Sequence, residues 1–158
     1  MKRALAALSL CILAVGCSKT ASKSNPCDLL SLGEAQSVDT AIAKTQAFPP
    51  QKGEELCVYT DRGGDARLML FVWRGKSSPP IDAVRAGMKG SDRIVEVGGV
   101  GTSAAAGFGA AEGETLKLFA AQAKGGMVGL RVRDPVKFGD EKFNSVKVLA
   151  GKALERLK

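Results

Sequence analysis

Four cysteines, at positions 11, 17, 27 and 57, and no histidine limit the chemistry this chain can carry. Without imidazole there is no Ser-His-Asp or Cys-His relay and no histidine metal ligation. Proton transfer near neutral pH would fall to a strongly perturbed carboxylate or lysine. Carboxylate pairs of the kind a glycosidase uses occur at Glu54/Glu55, Asp61/Asp65 and Glu112/Glu114. Each lies in a stretch that reads as turn or loop, where such pairs are ordinarily solvated. Gly99-Val100-Gly101-Thr102-Ser103-Ala104 matches the G-x-G-x-x-A of a dinucleotide loop. Gly107, Gly109 and Gly113 break the segment that follows, so no helix N-terminus is expected there to receive a pyrophosphate. The six residues read instead as a glycine turn that re-aims the chain between strands. No catalytic residue, metal site or cofactor is expected, and the chain is not read as an enzyme.

Cys17 is the cysteine with a chemical context. Lys2 and Arg3 are followed by an uncharged run from Ala4 to Val15. Those residues would make roughly 18 Å of helix, short of the ~30 Å hydrocarbon core. The length suits the apolar part of a cleavable signal. The run ends in Leu13-Ala14-Val15-Gly16-Cys17, which resembles the processing signal of bacterial lipoproteins. That resemblance implies cleavage after Gly16 and a diacylglycerol on the Cys17 sulfur. Residues 1–16 are then the signal peptide, 17–25 a lipidated N-terminus with a short polar tether, and 26–158 one globular domain. Two or three palmitate-like acyl chains anchor stably where one does not. The expected location is the cell membrane, after export. Ser18 after the lipid cysteine resembles the outer-membrane sorting pattern of two-membrane bacteria.

Export changes how the other residues read. Cys11 leaves with the signal, and Cys27 and Cys57 remain in a compartment that permits disulfides. They are expected to pair. The alternative is a redox or metal pair, but neither lies in a Cys-x-x-Cys and two sulfurs do not complete a zinc site. The formal charge of +7 falls to about +3 without Lys2, Arg3, Lys19 and Lys23, too weak a bias for nucleic-acid recognition. Lys19 and Lys23 lie in the tether, where they either meet anionic lipid or keep the linker solvated.

The elements that position these residues follow from periodicity. Ser31-x-x-Glu34 is a capping-box pattern and predicts a helix over about 32–38. Residues 41–53, with Pro49-Pro50, read as a loop. Strands are expected at 56–60 and 67–73. In the second, Leu68, Leu70 and Val72 share one face and Met69, Phe71 and Trp73 the other, which predicts a central strand covered on both sides. Ser78-Pro79-Pro80 opens a helix with Ile81, Val84 and Met88 at helical spacing. A strand at 93–97 precedes residues 98–113, read as an irregular turn and a short edge strand. Residues 116–123 and 127–133 form a hairpin around Lys124-Gly125-Gly126. Phe143, Val146, Ala150, Ala153, Leu154 and Leu157 mark a final amphipathic helix. The order α-β-β-α-β-(β)-β-β-α, with tight turns, implies an α+β domain: a single antiparallel sheet flanked by helices. On the hairpin, Lys117, Arg131 and Arg133 form a basic patch if the register aligns them. They and Trp73 are the candidate ligand or partner surface, the alternatives being a solvated strand face and a core tryptophan.

Asn25-Pro26-Cys27-Asp28-Leu29-Leu30, the helix with Glu34, Cys57-x-Tyr59 and Val97-x-Gly99-Val100-Gly101 resemble a group of small bacterial lipoproteins of unknown function, frequent in actinobacteria. The resemblance covers nearly the whole domain. It implies a Cys27–Cys57 bridge and an α/β/α sandwich similar to PsbP, and it implies no catalytic residues. The function expected is a non-catalytic binding or accessory role in the cell envelope. The expected partners are the membrane, through the lipid on Cys17, and an envelope protein. A carrier or sensor of a small hydrophobic or anionic ligand is the second reading, and a carboxylate-dependent envelope hydrolase the third.

Overall fold

The computed structural model describes residues 25–88, 91–109 and 115–157. The expected signal, Cys17, the expected tether up to Ser24 and the Glu112/Glu114 pair lie outside them. At the entry, the Asn25 side chain accepts from the Cys27 amide at 2.9 Å and starts a 3-10 turn, Pro26–Leu29. The capping box forms as its pattern predicts. Ser31 Oγ accepts from the Glu34 amide, and Glu34 accepts in return from the Ser31 amide at 2.9 Å. The helix it caps, α1 (Leu32–Ala35), is a single turn and shorter than the 32–38 expected.

Seven strands follow: β1 (Lys44–Gln51), β2 (Glu54–Thr60), β3 (Ala66–Arg74), β4 (Arg93–Glu96), β5 (Ser103–Gly109), β6 (Thr115–Ala123) and β7 (Gly126–Val132). They form a single antiparallel sheet in the order β1-β2-β3-β7-β6-β5-β4. Helix α2 (Ile81–Gly87) lies between β3 and β4 in the chain, and α3 (Glu141–Arg156) closes it. The α+β class with one antiparallel sheet is as the sequence predicts.

Two elements differ from expectation. Residues 41–53 are not a loop, because β1 occupies most of them as an edge strand with every residue exposed. An edge tolerates Pro49 and Pro50, whose missing amides would cost ladder bonds further in. Its pairing with β2 shifts register between Phe48 and Gln51, at the prolines. The strand after Gly101, by contrast, is not an edge. β5 lies between β4 and β6, and its Ala104, Ala105, Ala106 and Phe108 are buried.

The core lies between α3 and one face of the sheet. Leu68, Leu70 and Val72 of β3 are fully buried there with Cys57, Tyr59, Phe119 and Leu130. Phe143, Val146, Ala150, Ala153 and Leu154 of α3, together with Leu157 just beyond it, cover them as their spacing predicts. Asp140 caps the helix, its carboxylate accepting from the Phe143 amide at 2.6 Å. Tyr59 Oη donates to the Leu30 carbonyl at 2.8 Å, and burial raises its hydroxyl pKa above the usual range. Cys27 and Cys57 are bonded, tying the entry turn to β2. Among the described residues, no helix is long and apolar enough to cross a membrane.

Candidate binding surface

The opposite face of the sheet is covered unevenly. α2 is only seven residues long. Ile81 and Met88 pack on Ala105, Ala120 and Met127, with Val84, Trp73 and Leu118 partly buried beside them. That accounts for the β5–β6 side. Toward β1 the face has Met69 and Phe71 half-buried, so β3 is covered fully on one side only, not on both as the sequence suggests.

The register builds this open area strand by strand. Directly opposed residues share a face in an antiparallel pair. One row runs Phe48, Leu56, Phe71, Gly129, Ala120, and a second runs Gln46, Val58, Met69, Arg131. Glu54 faces Trp73, which faces Met127. Phe48, at the edge, is 40% exposed. The Phe71 and Trp73 rings stack, with centroids 6.2 Å apart and planes 18° apart. The Arg131 guanidinium stands 5.7 Å from the Phe71 centroid, a cation–π contact on an exposed side chain. Gly129 supplies the floor. A Cβ there would lie 3.4 Å from Trp73 Cζ3 and 3.5 Å from Leu118 Cδ1, in ordinary van der Waals contact with both.

The three basic candidates do not form one cluster through their contacts. Arg131 joins Phe71. Arg133 pairs with Asp65 at 2.9 Å, which holds that carboxyl below its ordinary range. Lys117 is the extra residue of a bulge in β6, where Gly107 opposes Leu118 and Phe108 opposes Leu116. Its side chain lies over Gly109, filling the space a Cβ there would occupy. Trp73 belongs to the open face and to the α2 cluster at once, so it is neither wholly core nor wholly free.

The other motifs are occupied structurally. Glu55 binds Arg74 at 3.1 Å. Asp61 accepts from the Asp65 amide and approaches Arg67 at 3.6 Å. The Gly99–Ala104 stretch leads into β5, not a helix. Gly99 and Gly101 adopt positive φ, and the Thr102 amide donates to the Gln122 carbonyl. Among the described residues, no group of three or more His, Cys, Asp or Glu side chains is placed to hold a metal ion.

Sequence reasoning named Trp73 and Arg131 but missed Phe48, Leu56 and the Phe71 stack. The signal for Phe71 was present in the apolar second face of 67–73. Phe48 was hidden in a segment read as loop. No family model, characterised protein or solved structure matches the chain.

Proposed function

We propose that this chain is a lipid-anchored cell-envelope domain with a non-catalytic binding or accessory role, exported and held by acyl chains on Cys17. Its contact surface is the part of the sheet that α2 leaves open. The observation that carries the reading is the Phe71–Trp73 stack, capped by Arg131, on a face with half-buried Leu56 and Met69. Aromatic and arginine side chains are enriched where proteins bind partners. In finer detail we read the architecture as an α/β/α sandwich similar to PsbP. The support is that α2 and α3 pack on alternate residues of β6, Ala120 under α2, Phe119 and Ala121 under α3.

Two measurements test the proposal separately. Intact mass of the protein extracted from membranes should show an N-terminal Cys17 carrying diacylglycerol, and Cys17→Ser should release a folded domain after signal cleavage. A membrane-retained, cleaved Cys17→Ser protein would overturn the anchor. Crosslinking in intact cells should trap a neighbour, lipid or protein, through the open face, and Phe71→Ser should weaken that contact. A second reading, a carrier of a small anionic or apolar ligand, draws on the Gly129 floor beneath Trp73 and Leu118. It predicts retained ligand mass in native mass spectrometry.

A further inference from the structure

We propose that the part of the sheet face left open by α2, toward β1, docks on an anionic lipid surface, with Phe48, Phe71 and the exposed side of Trp73 entering the headgroup boundary and Lys44, Lys117 and Arg131 meeting lipid phosphates. The inference rests on the Cys17 anchor proposed above and names the occupant of the surface.

Three observations select lipid. The first is chemistry. The rows across β1, β2 and β3 place Phe48, Leu56, Phe71, Val58 and Met69 side by side, and Trp73 stacks at their end. Aromatic and aliphatic groups laid on one plane suit the amphipathic zone between headgroups and acyl chains. The second is charge. Alternation along β1 and β7 puts Lys44 and Arg131 on the same side as Phe48 and Phe71. Lys117 lies over Gly109, which by alternation along β5 shares that side with Gly107. Glu54, opposite Trp73, is acidic on this face, and the other acids beside it are held in ion pairs, Asp65 with Arg133 and Asp82 and Glu96 with Arg85 of α2. Anionic lipid attracts such cations over about a Debye length.

The third is reach. The described chain begins at Asn25, and Cys27 is bonded to Cys57 on β2, with Cα atoms 5.1 Å apart. β2 is next to the edge strand β1. One strand spacing and the thickness of a packed layer make roughly 15 Å around that edge to the open face. Residues 18–25 span at most ~26–29 Å. Cys57 faces the α3 side of the sheet, so a tether rooted in the bilayer has just enough length to pass around the β1 edge, where Phe48 stands.

Trp73 is the only tryptophan in the chain, so its fluorescence reads this surface directly. The full lipidated protein is reconstituted in phosphatidylcholine vesicles with and without phosphatidylglycerol, using acyl chains brominated near the headgroup. The expected result is loss of Trp73 emission to bromolipid, a blue shift of what remains and protection from aqueous iodide. All three should be stronger with phosphatidylglycerol and reduced by Arg131→Gln. Quenching by iodide but not by bromolipid overturns the proposal. Protection from both quenchers also overturns it, since a second copy or another protein would then cover the face. Intact mass of the same sample reports the lipid on Cys17 independently. A missing lipid defeats the anchor, while Trp73 quenching still decides the docking.

Discussion

Arg156, in the last turn of α3, grips Glu34 of α1 with both arms of its guanidinium, at 2.7 and 2.8 Å. The same side chain donates to the Leu29 carbonyl at 2.9 Å, and Lys152 adds a contact to Glu34 at 3.2 Å. The two ends of the domain are thereby joined through one carboxylate that also completes a capping box. Two parallel charge-assisted bonds hold geometry better than a single contact.

This carboxylate should make stability acid-sensitive. The Arg156 hydrogen bonds, followed by those of Ser31 and Lys152, outweigh burial and hold the Glu34 pKa far below its ordinary value of 4.5. A lowered folded pKa gives stability that is present above the unfolded value and lost as pH falls through the folded one. The melting temperature should fall as pH drops below about 4.5. Glu34→Gln should melt lower at pH 7 and lose less on acidification. Parallel melting curves for the two proteins from pH 7 to pH 2 would contradict the assignment.

The disulfide closes a loop over a separation of 30 residues. Replacing both Cys27 and Cys57 with Ala should cost about 3–4 kcal/mol in the chain-entropy description. Urea unfolding reads this as a lower midpoint. A loss below about 1 kcal/mol would mean that the unfolded chain is already constrained in this region.

Two glycines should respond in opposite directions. Gly151 lies inside α3 with open space where a Cβ would go, so Gly151→Ala should stabilise by about 0.5–1 kcal/mol. Gly126 opens β7 at φ +145°, and a Cβ there would collide with the Trp73 carbonyl. Gly126→Ala should destabilise by several times that amount, since the hairpin and the β3–β7 pairing both shift. Thermal unfolding of the two variants side by side tests the contrast.

The β1–β2 hairpin turns through Lys52 at φ 50° and Gly53 at φ 84°. Positive φ at both positions is the tight-hairpin geometry that favours Asn-Gly. Lys52→Asn should therefore raise stability by a few tenths of a kcal/mol to ~1 kcal/mol. No gain in midpoint would show that the Lys52 side chain compensates elsewhere.

That turn explains why part of the fold escaped the sequence. Lys-Gly is not the usual hairpin dipeptide, and β1 has neither apolar alternation nor a buried residue. Periodicity detects burial, so a fully exposed edge strand leaves no trace in it. β5 escaped for a related reason: an Ala- and Gly-rich run lacks the branched side chains that mark interior strands. Where one face meets the core, the sequence pattern suffices. Leu68, Leu70 and Val72, the spacing in α3 and the Ser31/Glu34 cap all appear as predicted. The Arg131–Phe71 contact was not legible because β3 and β7 are neighbours in space but far apart in sequence. Only the pairing of Phe71 with Gly129 brings the two side chains within reach.

The sheet order has a kinetic consequence. β1-β2-β3 and β4-β5-β6-β7 are each runs of sequential neighbours, while β3 meets β7 across roughly 60 positions, as at Leu68 and Val132. Each run can assemble by local encounters. The line between them requires a long loop to close before any bond forms along it, and that search limits the rate. The domain should therefore fold as two ribbons that wait for a single zip, and substitutions along β3 and β7 should slow that step more than equal losses of stability elsewhere.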